Sequence, residues 1–214
     1  MSPEQSTPEK TGGLRSALSL PFVYSLLQGL IRGRRAYRVF VDDYVRPQTG
    51  DRVLDIGCGT AEILSYLPVV DYVGVDVSEA YVEAARKRYP DGTRFIAQNV
   101  QSTDVDLVGS ASFDLVIAIG VIHHLPDDAA HDLFRLAATA LKPSGRFVAL
   151  DACYAAEQSP VARFLLSRDR GRHIRYSPAY VDLARQHFSE VEASLRHDLF
   201  RFPYTCLALS CSQE

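Results

Sequence analysis

Residues 53–62 read VLDIGCGTAE. Three strand-forming apolar residues, Val53, Leu54 and Ile56, surround Asp55, and the run then breaks into Gly57-Cys58-Gly59. This pattern predicts a buried strand over 52–56, a tight turn that uses glycine's conformational freedom, and a short helix over 61–67. A turn between a strand's carboxyl end and a helix N-terminus lets a ligand's polar groups approach the main chain. A dinucleotide fingerprint would need a third glycine where Glu62 stands, and that acid would set negative charge beside a pyrophosphate. No Lys-Ser or Lys-Thr follows the glycines, so a Walker loop is absent too. Asp55, at the strand end, favours a cationic group instead. About twenty residues on, Asp76 ends the next strand in YVGVDVS, at the offset suited to a carboxylate that accepts hydrogen bonds from ribose hydroxyls. The predicted ligand carries ribose and positive charge, without phosphate.

Strands and helices alternate outward from this stretch. Strands are expected over 72–76, 94–97, 113–119 and 146–151, with helices over 78–88 (begun by a Ser78 cap) and 127–141. FDLVIAIG, from Phe113, is nearly all apolar, as suits a central parallel strand covered on both faces. The rhythm is that of an open α/β sheet with helices on both sides. It ends differently: after a helix over 178–187, EVEASLRHDL and PYTCLALSC are strand patterns joined by only a few residues, too few for a parallel crossover. These two strands should pair antiparallel.

The chain has 214 residues, of which 47% are hydrophobic, enough for one full core. Residues 1–13 are polar and rich in Pro, Ser, Glu and Gly, and a flexible tail is expected over 1–18. A single domain is expected over 19–214, opening with helices over 19–31 and 33–45 that form an N-terminal lid within 19–50. The net charge of −3 provides no global basic field for a nucleic-acid backbone, so no nucleic-acid partner is expected. No apolar run reaches the roughly 20 residues that cross a bilayer. Four scattered cysteines without a C-x-x-C pair, and no signal core at the N-terminus, point to a reduced, cytoplasmic protein.

Taken together, these residues resemble the class I S-adenosylmethionine-dependent methyltransferases. VLDIGCGTAEIL is similar to their motif I, VGVDVSE to the acidic loop after it, FIAQNV to the strand end that contacts adenine, and FDLVIAIGVIHHLPD with LKPSGRFVALD to their fourth and fifth strand regions. The resemblance covers 51–151 and implies a Rossmann-like, seven-stranded, mostly parallel sheet with an antiparallel C-terminal strand beside the fifth. It implies S-adenosyl-L-methionine as cofactor, and S-adenosyl-L-homocysteine as product. By the same resemblance Gly57 and Gly59 would line the methionine end, with Asp55 near its ammonium. Asp76 would hold the ribose and Val77 would pack on adenine. Asn99 and Val100 would lie at the adenine edge, and Ile119 and Gly120 would offer carbonyls to the ammonium. Ala61 stands where the family often has a third glycine.

Methyl transfer is an in-line displacement, so the main task is to hold donor and acceptor about 3–3.5 Å apart. A phenol or alcohol acceptor benefits from a base. In GVIHHLPDD, His124 is the candidate base and His123 a candidate acceptor contact, at the sheet edge where ligands bind. Residues 152–178 are long for a connection and are expected to cover the acceptor. Within them Arg168, Arg170, Arg172 and Arg175 could grip an anionic acceptor, with Arg172 and Arg175 the candidates; the competing reading is a solvated face partly neutralised by Asp169. Tyr24 and Tyr154 are pocket candidates. No oxygen-rich metal set remains once the acids are assigned to the cofactor, and no metal is expected. The leading expectation is methylation of a small molecule, at oxygen, in bacterial-style secondary or lipid metabolism. The alternatives are methylation of a protein or RNA, disfavoured by the absence of an Asn-Pro-Pro-Tyr motif after the fourth strand, and a cofactor-binding sensor without transfer. The sequence leaves the oligomeric state open.

Overall fold

The structure is a computed structural model that describes residues 34–103, 105–169 and 171–213. The tail over 1–18, the helix expected over 19–31 and Tyr24 lie outside the described residues.

The quoted stretch forms strand β1 (Arg52–Ile56), with Val53, Leu54 and Ile56 buried. Next come β2 (Asp71–Asp76), β3 (Thr93–Ala97) and β4 (Phe113–Ile119), then β5 (Leu141–Tyr154). A two-residue strand β6 (Arg175–Tyr176) precedes the final pair, β7 (Glu190–Arg196) and β8 (Cys206–Ser212). They assemble in the order β3-β2-β1-β4-β5-β8-β7, with β6 pairing β5 off this path. β1 to β5 run parallel, while β8 lies antiparallel between β5 and β7. The terminal hairpin and its place beside the fifth strand are thus as the sequence implies. β6 is additional to the seven strands expected. It belongs to the 152–178 segment, which also folds a helix, Pro160–Ser167, started by a Ser159 cap that accepts the Ala162 N–H.

The expected strand 146–151 is extended in both directions. Leu141 already pairs with Phe113, and the register slips before Arg146 pairs with Leu115, so the KPSG turn is absorbed as an irregularity at the start of β5. Helix Glu79–Arg88 starts where Ser78 accepts the Tyr81 N–H, as its cap position requires.

Both faces of the sheet are covered. Helices Asp127–Ala140 and Ser177–Arg185 pack on one core, centred on Phe113, Phe134, Phe147 and Tyr180. On the other face, the helix over 34–40 continues into a π-helical turn, Val41–Val45, and buries Ala36, Phe40, Val41 and Val45 against β1, β2 and β4. The segment expected as lid is therefore anchored to the sheet over its described part. Among the described residues no helix is long and apolar enough to cross a membrane. The order of strands reverses between β1 and β4, and the carboxyl ends there form the natural ligand crevice of an open α/β sheet.

Candidate active site

The turn after β1 is tied to the end of β2. Gly57 and Cys58 N–H both donate to the Val75 carbonyl (2.7 and 3.0 Å). Gly59 N–H donates to Asp76 Oδ2 and Ser78 N–H to Asp76 Oδ1, each at 2.8 Å. Burial raises the Asp76 pKa, and the two N–H groups pull against it. Each carboxylate oxygen keeps lone-pair capacity for a ligand hydroxyl. Gly57 has φ +76°, and a Cβ there would lie 2.3 Å from Val121 Cγ2. Gly59 has φ +54° with nothing within 4 Å of an added Cβ, so its bare side opens into space. Burial pushes the Cys58 thiol far up, with Asp55 and Asp76 adding to the effect, so the sulfur between the glycines is no nucleophile.

That space is a cavity of about 400 Å³. Gly57, Gly59, Asp76 and Val77 form one wall, Asn99 and Val100 another, and Ile119, Gly120 and His124 a third. Nine residues expected from the sequence thus share one cavity. Val77 is 71% exposed, an unusual state for an apolar side chain unless something packs on it. Asn99 Oδ1 accepts the Gln101 N–H (3.1 Å) as the cap of a 3₁₀ turn. Asp55 is 3% exposed and outside the lining; its Oδ2 accepts the Tyr72 hydroxyl at 2.5 Å. Tyr81, Gln98, Val121 and Leu125 also line the cavity. The sequence reading missed them. Tyr81 falls two residues past VGVDVSE, and Gln98, Val121 and Leu125 lie inside the quoted motifs, so position was the available signal.

The acceptor candidates are scattered. His123 is 5% exposed, lies outside the lining, and has both ring nitrogens engaged: Nδ1 bonds Asp151 Oδ1 and Nε2 lies 3.5 Å from Asp169 Oδ1. Burial opposes its charge, but the two carboxylates outweigh that and hold its pKa up at about 9. It is a pinned imidazolium rather than an acceptor contact. Arg175 is likewise a staple: its guanidinium donates to the carbonyls of Ile122 (3.2 Å), Leu125 (2.7 Å) and His173 (3.0 Å) and to Asp127 Oδ1 (2.6 Å). With its N–H fork occupied, it cannot grip an acceptor anion. Arg172 is exposed. Tyr154 stands outside the cavity, with its ring 5.6 Å from that of Tyr176 and under the Arg163 guanidinium. Asp151, whose role the sequence did not reveal, collects the N–H groups of Val121 (3.1 Å), Ile122 (2.7 Å) and His123 (3.2 Å) and shapes the 3₁₀ turn Ile122–His124. Its signal was an acid ending an apolar strand, the same as at Asp55 and Asp76.

Residues 53–145 match the family model described as a methyltransferase domain. The chain carries a class I S-adenosylmethionine-dependent methyltransferase domain. It is similar to 27-O-demethylrifamycin SV methyltransferase of Amycolatopsis mediterranei, 34% identical over 105 residues that make up 46% of this chain and 38% of that one. It is also similar to aklanonic acid methyltransferase DauC of a Streptomyces species, 36% identical over 93 residues, 40% of this chain and 41% of that one. The methyltransferase domain thus spans less than half the length of these curated relatives. Among solved structures, a TehB-like SAM-dependent methyltransferase from Corynebacterium glutamicum superposes with a TM-score of 0.64 at 16% identity, over 89% of this chain and 94% of that one, a likeness of fold. The methyltransferase cavity fits the expected cofactor in its chemistry: a carboxylate with free lone pairs for a ribose, an exposed Val77 for a flat apolar ring, and an open glycine face.

Proposed function

We propose that this chain transfers a methyl group from S-adenosyl-L-methionine to a small-molecule acceptor, at oxygen. The observation that carries the reading is the cavity at the reversal of strand order, where the Gly57–Gly59 turn and the Asp76 carboxylate are locked together and face one open space. Asp76 would hold the ribose, Val77 and Val100 the adenine, Asn99 the adenine edge, and Gly57, Gly59, Ile119 and Gly120 the methionine end, with Asp55 acting from behind the turn. Bound S-adenosylmethionine supplies an electrophilic methyl group on a sulfonium. His124 lines the same cavity and is exposed, so it can take the acceptor's hydroxyl proton as the new bond to carbon forms.

The names of the curated relatives, a rifamycin and an aklanonic acid methyltransferase, speak for a small-molecule acceptor. Arg172 and Tyr154 remain the acceptor-side candidates, Arg172 for an anionic group. The four cysteines are buried and unbridged, which supports a reducing, cytoplasmic setting. The test is transfer of labelled methyl into an extract of the native host, split into small-molecule, protein and nucleic-acid fractions. Label is expected in the small-molecule fraction and should vanish with Asp76→Ala; label in a polymer fraction would overturn the acceptor assignment. His124→Asn should lower kcat while leaving S-adenosylhomocysteine affinity unchanged, and full turnover by that variant would dismiss the base.

A further inference from the structure

The segment after β5 grips the turn after β4 from several sides. His173 N–H donates to the His123 carbonyl (2.9 Å), and Arg175 donates to the carbonyls of Ile122 and Leu125. Gly171 lies so close to the His123 ring that an added Cβ would sit 1.9 Å from Cδ2. Asp169 Oδ1 reaches His123 Nε2 at 3.5 Å, while Asp169 Oδ2 accepts the Tyr204 hydroxyl at 2.7 Å from the β7–β8 connection. The other ring nitrogen of His123 bonds Asp151, and Asp151 Oδ2 accepts the Val121 N–H. Val121 in turn lines the cavity and abuts Gly57. A continuous chain of contacts, Tyr204 to Asp169 to His123 to Asp151 to Val121, therefore joins the segment beyond β5 to the wall of the cofactor site.

We propose that Asp169, which lies outside the cavity, is a positioning residue for the cofactor site, acting through His123 and Asp151 on the turn that carries Val121 and His124. The proposal rests on the reading that the cavity takes S-adenosylmethionine. His123 is clamped between two carboxylates contributed by different segments, so the turn is set before the ligand arrives and its ordering entropy is not charged to binding. A neutral side chain at 169 leaves the His123 ring with one carboxylate partner, Asp151. The turn then has to be ordered by the ligand, and affinity falls.

The same geometry has a signature in pH. The groups around His123 are Asp151 from β5, Asp169 from the segment beyond it with Tyr204 behind, the neighbouring His124 ring at 4.0 Å, and His173 and Arg175, which reach the turn's carbonyls. The clamp persists while the imidazole is charged, and is lost as pH rises through about 9. With Asp169→Asn one of the two carboxylates that raise the His123 pKa is gone, so the loss should begin closer to neutrality. A merely structural role would not move this limb.

The experiment is calorimetric binding of S-adenosylhomocysteine to the full chain from pH 6.5 to 10, with circular dichroism on each protein. Asp169→Asn is expected to weaken binding about tenfold at pH 7.5 and to shift the alkaline limb downward, the ligand's own ammonium titrating alike in both proteins. If Asp169→Asn does not fold, Tyr204→Phe removes one hydroxyl bond from the same chain while Asp169 keeps its charge, and a two- to fourfold loss of affinity with an unmoved limb is expected. Affinity within twofold of wild type and an unmoved limb, in the folded variant, overturn the proposal alone. Failure of the wild-type chain to bind S-adenosylhomocysteine overturns the cofactor reading and this proposal with it.

Discussion

The glycine turn after β1 is fixed chiefly by its backbone conformation and its own N–H groups, whereas the turn after β4 is fixed by side chains that arrive from elsewhere in the chain. In the first, positive φ at Gly57 and Gly59, two main-chain bonds to the Val75 carbonyl and one bond from Gly59 N–H to the Asp76 carboxylate set the shape. In the second, Asp151 reaches back 29 residues to Ile122 and Arg175 reaches back 53 to the same residue. One wall of the cavity is therefore coded locally, and the other depends on a buried ion network whose members lie on three separate segments. Local coding tolerates little change in residue type. A network tolerates change only where every member stays satisfied.

The largest effect should come from the locally coded wall. Gly57→Ala forces a Cβ into the left-handed region, at about 1–2 kcal/mol, and drives it into Val121, at about 1–3 kcal/mol more. Val121 has little room to yield because its N–H is held by Asp151. We expect S-adenosylhomocysteine affinity to fall about 100-fold, near 2.7 kcal/mol, by calorimetry. A variant that binds normally would mean that the turn is shaped by the ligand rather than by its backbone, and the contrast between the walls would fail.

The networked wall should respond next, and with pH. Removing one partner from a buried ion pair costs about 3–5 kcal/mol, and His123→Gln keeps one hydrogen bond, so a loss of about 2–3 kcal/mol of unfolding free energy is expected at pH 7. His123 has its folded pKa raised to about 9 from an ordinary 6.5. Its stabilisation is therefore fully present below pH 6.5 and lost as pH rises through about 9. Urea unfolding at pH 7 and pH 10 should show the gap between wild type and variant shrinking at the higher pH. A gap that is constant with pH would mean that His123 is neutral in the fold.

This difference in coding explains what could be read from the sequence. Gly57, Gly59, Asp76, Val77, Asn99, Val100, Ile119 and Gly120 converge on the cavity because each belongs to a strand end whose place in a parallel sheet follows from pattern and order. The alternation gave β1 to β5, and the short connection gave the antiparallel ending. His123 and Arg175 were misread as acceptor contacts because charge and position near the sheet edge are visible in a sequence, while the partner that consumes a charge is not. Asp169, read as a neutraliser of its arginine neighbours, instead pairs across the fold with His123 and Tyr204. Helix Pro160–Ser167 went unseen because its eight residues are too few for a periodicity to stand out.

Two arginines three positions apart sharpen the contrast. Arg175→Lys replaces a planar fork by a point donor that cannot serve Ile122, Leu125, His173 and Asp127 together, and an unfolding loss of about 1–2 kcal/mol is expected by urea titration. Arg172→Glu, on an exposed side chain, should stay within about 0.5 kcal/mol of wild type. If Arg172 meets an anionic acceptor, this reversal should raise the acceptor KM and leave kcat nearly unchanged. Equal destabilisation by both changes would show that the staple is no more than surface charge.

The smallest effect is expected at Ala61, where the two kinds of coding meet in one residue. Its φ of 55° is in the left-handed region that glycine adopts freely, yet its methyl is fully buried against the core beneath the sheet. Ala61→Gly relieves about 1–2 kcal/mol of backbone strain. It also gives up about 0.8 kcal/mol of methyl burial and adds unfolded-chain entropy worth about 0.4–1 kcal/mol. These contributions nearly cancel, so urea unfolding should move by no more than about 0.5 kcal/mol in either direction. Cofactor affinity should not change, because Ala61 lies outside the cavity lining and its N–H is already bonded to the Cys58 carbonyl (2.9 Å). A stabilisation well above that range would mean that the strain is stored rather than offset. The locally coded wall would then hold its shape against a backbone cost, as the networked wall holds its own against the desolvation of the buried His123 and Asp151.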